Sequence, residues 1–196
     1  MTKHREMPPL TPRKLPTQRR SANTVDTILE AAARILETDG LVAQRAGVSI
    51  GSLYQYFPNR DALTVALIER ETTQLLDDVQ HVHEHDDALA RIRALVQASV
   101  AHQLRRPELA RIIDFEERRL LLQERHERVA NVIHAELIAA LALPSAPWGC
   151  ADVLETAQDL LAMAHGMIDA AGERGETDAV SLEGRVMRAL VGFLCG

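Results

Sequence analysis

The sequence is poor in aromatic residues: three Phe, two Tyr and one Trp among 196 residues, 3% of the chain. Any core must therefore be built mainly from Leu, Ile, Val and Ala. Aromatic strand formers are scarce while the helix formers Ala, Leu, Glu and Arg abound, which argues against an all-β fold. Long apolar runs are also missing, and none approaches the ~18 residues a membrane-spanning helix needs. The opening residues MTKHREMPPL carry charge with no apolar run behind them, so they do not read as a secretory signal. Cys150 and Cys195 are the only cysteines, too few for a disulfide framework; both are expected to be inert unless exposed and redox-active. A Gly-rich phosphate loop, an internal repeat and a Ser/His/Asp or Cys/His signature are all missing, so neither enzymatic chemistry nor a cofactor is expected. These absences leave an all-α, soluble, cytoplasmic protein without a membrane partner as the expectation.

Charge is present but unevenly placed. The formal net charge is −6, which by itself disfavours nucleic acid as a partner. Residues 1–22, however, hold six basic side chains (Lys3, Arg5, Arg13, Lys14, Arg19 and Arg20) against Glu6 alone, a net of +5. The other 174 residues hold 16 basic and 27 acidic groups, a net of −11. A basic arm on an acidic body reaches polyanions while the body avoids them. A solvated tail is the plainer reading of an arm alone, and Pro8, Pro9, Pro12 and Pro16 keep it from being helical.

Helical periodicity then takes over. With Thr24 as N-cap, Val25, Ile28, Leu29, Ala32, Ile35 and Leu36 recur at helical spacing up to Asp39-Gly40, a stop signal. Two short helices broken at Gly47, the second capped by Ser49, give the form of a helix-turn-helix. Further helices are predicted from Asp61 to about Val79, from Ala88 to Leu104, from about Asp114 to Leu141, and over roughly 150–172 and 181–195. HVHEHDD (81–87) and PSAPWG (144–149) are polar or Pro/Gly-bearing junctions. The domain reading is a flexible basic arm over 1–22, a helix-turn-helix domain over 23–62, and a helical effector-binding and dimerisation domain over 63–196.

The string VAQRAGVSIGSLYQYFPNRDAL (42–63) resembles the signature of the TetR/AcrR family of one-component transcriptional repressors nearly position for position, and VDTILEAAARILETDG (25–40) is similar to that family's first helix. The close resemblance covers about a fifth of the chain. It implies a three-helix DNA-binding domain whose recognition helix enters the major groove of an operator. Gly47 permits the close turn, and Ser49, Ile50, Gly51 and Ser52 form a slim first turn able to approach base edges. Gly51 costs ~1 kcal/mol relative to Ala in a helix, so its use there favours approach over stability. Gln55 can read a base edge, adenine best. Leu53 and Phe57, at i and i+4, face inward. Tyr54 and Tyr56 match positions that contact phosphates in the family, and Arg60 stands where the family usually has Lys. Arg19 and Arg20, just before the first helix, are placed to follow the backbone or enter a minor groove.

One departure from the family is plain. Between Gly40 and Val42 stands only Leu41, where the family has several residues forming a turn that starts the second helix. Two readings stay open: a true deletion, or residues missing from the sequence at this point. A true deletion keeps alive an alternative function, a helical interaction protein with impaired DNA binding.

The family likeness also implies a homodimer through the last two helices, on a palindromic site with half-sites about 34–36 Å apart or a multiple of that. Val153, Leu154, Ala157 and Leu161 on one helix, and Val186, Leu190 and Phe193 on the other, are the expected interface, with an ordinary internal core as the competing reading. The middle helices would enclose a small-molecule effector. His102, Phe115, Glu116, His134, Trp148, Met163, His165 and Met167 are the side chains that would add shape or polarity to an aliphatic lining. Few aromatics point to an aliphatic or small effector. His81 and His85, at i and i+4, could share a metal on one helix face, though a solvated helix end is the plainer reading and no metal is expected. The functional expectation is a DNA-binding regulator, most simply a repressor, released from its operator by an effector.

Overall fold

The computed structural model describes residues 10–11, 19–38, 56–149 and 152–196. Seven α-helices occur among the described residues: α1 (Arg19–Thr38), α2 (Arg60–Gln80), α3 (Ala88–Arg105), α4 (Pro107–Leu120), α5 (Gln123–Leu141), α6 (Val153–Glu173) and α7 (Ala179–Cys195), with a 3₁₀ turn over His81–Glu84. No described residue is in a strand, and no described helix is long and apolar enough to cross a membrane. The chain packs as two units, Met1–Glu71 and Thr72–Gly196, whose division falls inside α2.

Local chemistry explains most helix starts. The side-chain oxygens of Asn59, Asp87, Asp152 and Asp178 accept backbone N–H groups in the first turns of α2, α3, α6 and α7 at 2.7–3.0 Å, satisfying donors that have no helical partner. Pro107 opens α4, where its missing N–H costs nothing. At the end of α6, Gly175 takes φ +70, and Gly175 N–H and Glu176 N–H donate to the Gly172 and Ala171 carbonyls at 3.0 Å. This is the αL termination that glycine favours.

Three expectations need correction. The first helix begins at Arg19, five residues before Thr24. No proline lies between Pro16 and Pro58, so nothing local stops a helix from Arg19 onward, and the Thr27 hydroxyl donates to the Asn23 carbonyl at 2.8 Å. The stretch read as one helix over 114–141 is two, since the chain turns at Leu121, which has φ 55 and ψ 43. No Gly or Pro marks that break; the Leu121 and Leu122 N–H groups both donate to the Glu117 carbonyl instead. Finally, HVHEHDD does not present His81 and His85 on one helix face, because the turn is 3₁₀ and His85 is extended (φ −87, ψ 123).

In the first unit, Ile28, Leu29, Ala32 and Ala33 of α1 are buried, as are Phe57 and Ala62, Leu63, Leu67 and Ile68 of α2. Arg70 Nη2 reaches Glu71 at 2.7 Å and Glu30 of α1 at 3.5 Å, tying the two helices. In the second unit a single cluster joins Val79 and Val82 to Ile92, Leu95, Leu137, Leu160, Leu182, Val186 and Leu190, among others. Each such side chain contributes about 1.5–3 kcal/mol by burial. Helix α3 touches α4, α5, α6 and α7, and a Cβ built on Gly172 would lie 2.3 Å from Gln103 Nε2. An added methyl there would have to displace the flexible end of the Gln103 side chain, not backbone.

Candidate nucleic-acid interface and effector domain

Of the residues expected to face nucleic acid, Tyr56 and Arg60 stand at the head of α2 and are described. Tyr56 is helical and half-buried, Phe57 is buried in the core as its inward spacing predicts, and Asn59 caps α2 through Ala62 N–H at 2.8 Å. This anchor places exposed Arg60 in the first turn of α2, where its charge adds to the positive end of the helix dipole. Such an end holds phosphate oxygens well. Arg19 and Arg20 occupy the first turn of α1 rather than a tail preceding it. Ser49, Ile50, Gly51, Ser52, Tyr54 and Gln55 lie outside the described residues, as do Gly47, Leu53, Cys150, the Gly40–Val42 junction and the basic residues Lys3, Arg5, Arg13 and Lys14.

The side chains expected around an effector fall into two groups. Trp148, Met163 and Met167 are half-buried against the main core cluster of the second unit. His134 is half-buried too, its Nε2–H donating to the Leu154 carbonyl at 3.3 Å, which ties α5 to the start of α6. His102 is half-buried on α3. Glu116 is buried and accepts from Arg119 Nε at 2.6 Å, one turn along α4. Phe115 and His165, in contrast, stand on the protomer surface; Phe115 is 59% exposed, and His165 Nε2 lies 3.3 Å from Asp169 Oδ2.

The expected interface residues also divide. Ala157, Val186 and Leu190 are buried within the protomer itself, so they have no surface left to lose to a partner. An apolar face wider than its contact with one neighbour packs inward on one side and stays exposed on the other. The exposed side of α6 and α7 keeps Leu154 (61%) and Phe193 (46%), with Val153 and Leu161 half-buried beside them.

Sequence reasoning passed over three side chains that organise the second unit. Arg91 is buried, and its guanidinium donates to the His83 and His85 carbonyls. Ser145 joins the loop after α5 to the start of α3, accepting from Ala88 N–H and donating to the Asp86 carbonyl, both at 3.0 Å. Glu136, on α5, has an Oε2 atom shut off from solvent. None has a spacing signal; each is defined by partners distant in sequence or by burial.

Comparison with known proteins gives this arrangement a family. Residues 28–67 match the model for bacterial regulatory proteins of the tetR family, and residues 89–194, more than half of the chain, match the tetracyclin repressor-like C-terminal domain. The chain belongs to the TetR family of bacterial regulatory proteins. The amino-terminal match runs across the short Gly40–Val42 junction. Nucleoid occlusion factor SlmA of Vibrio vulnificus is 33% identical over 103 residues, covering 48% of this chain and 53% of that protein. The Vibrio cholerae protein of that name is 32% identical over 100 residues, covering 46% and 51%. The chain thus spans about half the length of the curated relatives it matches. Among solved structures, the fatty acid degradation regulator FadR from Bacillus halodurans has a TM-score of 0.73 at 19% identity, covering 92% of this chain and 97% of that one. A transcriptional regulator from Cytophaga hutchinsonii has a TM-score of 0.70 at 17% identity, covering 88% and 97%. At these identities the two structures bear on the fold.

Proposed function

We propose that this protein is a cytoplasmic, effector-responsive repressor that binds a palindromic operator as a homodimer. The observation that carries the reading is the tetR-family match over residues 28–67, which contains the helix-turn-helix string and ends in the Asn59-capped α2 with exposed Arg60. Ser49, Ile50, Gly51, Ser52 and Gln55 approach base edges, while Tyr54, Tyr56, Arg60, Arg19 and Arg20 hold phosphates. Leu154 and Phe193, with Val153 and Leu161, pair two protomers, so that two recognition helices meet successive major grooves. Effector binding in the second unit favours a state whose recognition helices no longer match those grooves, with α2 as the element common to both units. The coupling is reciprocal and typically amounts to about 1–3 kcal/mol: operator DNA weakens effector binding by the same factor.

A second reading rests on the Gly40–Val42 junction: a helical interaction protein that no longer recognises DNA. Selection of random-sequence DNA by gel shift at two salt concentrations, on protein of verified intact mass, decides between the readings. Enrichment of a palindrome, with affinity falling steeply as salt rises, supports the repressor. No enrichment by a chain of the expected mass favours the interaction protein.

A further inference from the structure

Arg70 and Glu71 are neighbours in sequence, and neighbours on a helix do not face each other. Yet Arg70 donates from Nε at 3.1 Å and from Nη2 at 2.7 Å to a single oxygen of Glu71, Oε1. Both side chains are largely withdrawn from water, at 17% and 8% exposed. The same Nη2 lies 3.5 Å from Oε2 of half-exposed Glu30 on α1. One guanidinium thus serves two carboxylates, gripped closely by the one on its own helix and more loosely by the one on α1. All three residues belong to the first unit.

Stability is a poor explanation of this cluster. A buried ion pair returns little beyond its desolvation cost, and a half-exposed arm such as Arg70–Glu30 contributes little to folding. What a guanidinium adds is direction, because its planar fork fixes geometry as apolar contact does not. The cluster stands where direction matters. Glu30 is ~16 Å along α1 from Arg19, and Arg70 is ~15 Å along α2 from Arg60. A 10° change in the angle between the helices at the tie moves either head by ~3 Å, about the length of a hydrogen bond.

We propose that Arg70, clamped by Glu71 and drawn to Glu30, is a positioning residue for DNA binding. It fixes α1 against the first turns of α2, so that Arg19 and Arg20 at one head and Arg60 at the other meet the phosphates of one duplex together. This rests on the DNA-binding reading above. Standing ~three turns from either head, Arg70 acts through the helix backbones and not by contact with phosphate. The cluster holds two acids against one base, so by charge alone it opposes a polyanion. That gives the test a sign. Removing the Glu30 charge favours DNA if the cluster is merely electrostatic, and disfavours DNA if the cluster aligns the helices.

The full chain and its Glu30→Gln variant are titrated by gel shift against the palindrome that the wild type selects. The titrations cover a salt series, at a temperature where circular dichroism shows both proteins folded. The expected result is at least about fivefold weaker binding by Glu30→Gln with an unchanged slope of log K against log salt, since no phosphate contact is lost. Arg70→Met alone strands a buried carboxylate, so it is made together with Glu71→Leu. That double substitution should weaken binding likewise. Adding Glu30→Gln to it should change affinity by less than about twofold, as for groups that act as a unit. Equal or tighter binding by Glu30→Gln, a slope lowered by about one, or additive losses overturns the proposal. If Glu30→Gln loses the wild-type helical circular dichroism, the chain with Arg70→Met and Glu71→Leu takes its place, and unweakened binding by it is the overturning result. A wild type that selects no DNA overturns the DNA-binding reading and this role together. A wild type that selects a palindrome which Glu30→Gln binds as tightly overturns this role alone.

Discussion

Arg91, in the first turn of α3, donates from Nη2 to the carbonyl oxygen of His85 at 2.9 Å and to that of His83 at the same distance. A buried cation thus holds the backbone of the histidine-rich junction, and the imidazoles are left exposed. Arg91→Met keeps the apolar stem but leaves two carbonyls without their donor. We expect a loss of about 1–3 kcal/mol in denaturant unfolding of the second unit. Alanine at His83 or His85, whose carbonyls remain, should change stability by less than about 0.5 kcal/mol.

Leu121 stands in the left-handed region at 75% exposure. A non-glycine residue there costs about 1–2 kcal/mol, and this side chain recovers little by packing. Leu121→Gly relieves that cost against a smaller loss of unfolded-state restriction. The melting free energy should rise by up to about 1 kcal/mol; a decrease would show that Leu121 packs against something in solution.

Gly172 and Gln103 are predicted to be coupled. Gly172→Ala alone meets the amide end of Gln103, so its gain in helix propensity is offset. In a Gln103→Ala background the same change should stabilise by up to about 1 kcal/mol. A double-mutant cycle of unfolding free energies checks this, and simple additivity would remove the contact from consideration.

Leu154 and Phe193 are exposed in the protomer, whereas Leu190 is buried. The pair Leu154→Asp and Phe193→Ser should shift sedimentation from dimer to monomer and leave the circular dichroism unchanged. Leu190→Ala should instead cost about 2–5 kcal/mol of protomer stability. A dimer that survives the double substitution would place the interface elsewhere.

Arg60→Ala should weaken binding to all DNA sequences alike and lower the slope of log K against log salt by about one. Gln55→Ala should relax preference at one base pair per half-site, by about 1–3 kcal/mol if the contact is bidentate. Binding curves on operator and random DNA across a salt series measure both.

Much of this protein was legible from local patterns. The Asp residues before α3, α6 and α7 and the Gly after α6 are short-range signals with direct mechanisms, and those helix ends fall within a few residues of the expected ones, whereas α4 starts at Pro107, seven residues before the expected Asp114. The inward placing of Phe57 followed from i, i+4 spacing. The break at Leu121 carried no such signal, because three consecutive leucines read as helix and it is the backbone hydrogen bonds to Glu117 that end α4. The early start of α1 was hidden for the opposite reason: Thr24 resembles a cap, yet nothing upstream of it forbids helix.

What the amino-acid sequence determined by itself is the helical class, the family and the order of the helices, since periodicity, caps and the 42–63 string depend on residues close together in the chain. Only the tertiary structure decided which half of each apolar face is core. Ala157, Val186 and Leu190 went inward and Leu154 and Phe193 stayed outside, although spacing treats all five alike. It also decided which polar groups lie buried, with Arg91 satisfied by carbonyls six and eight residues behind it and Glu136 Oε2 and Trp148 Nε1 left without partners. Burial is set by neighbours far along the chain, and no local pattern encodes it.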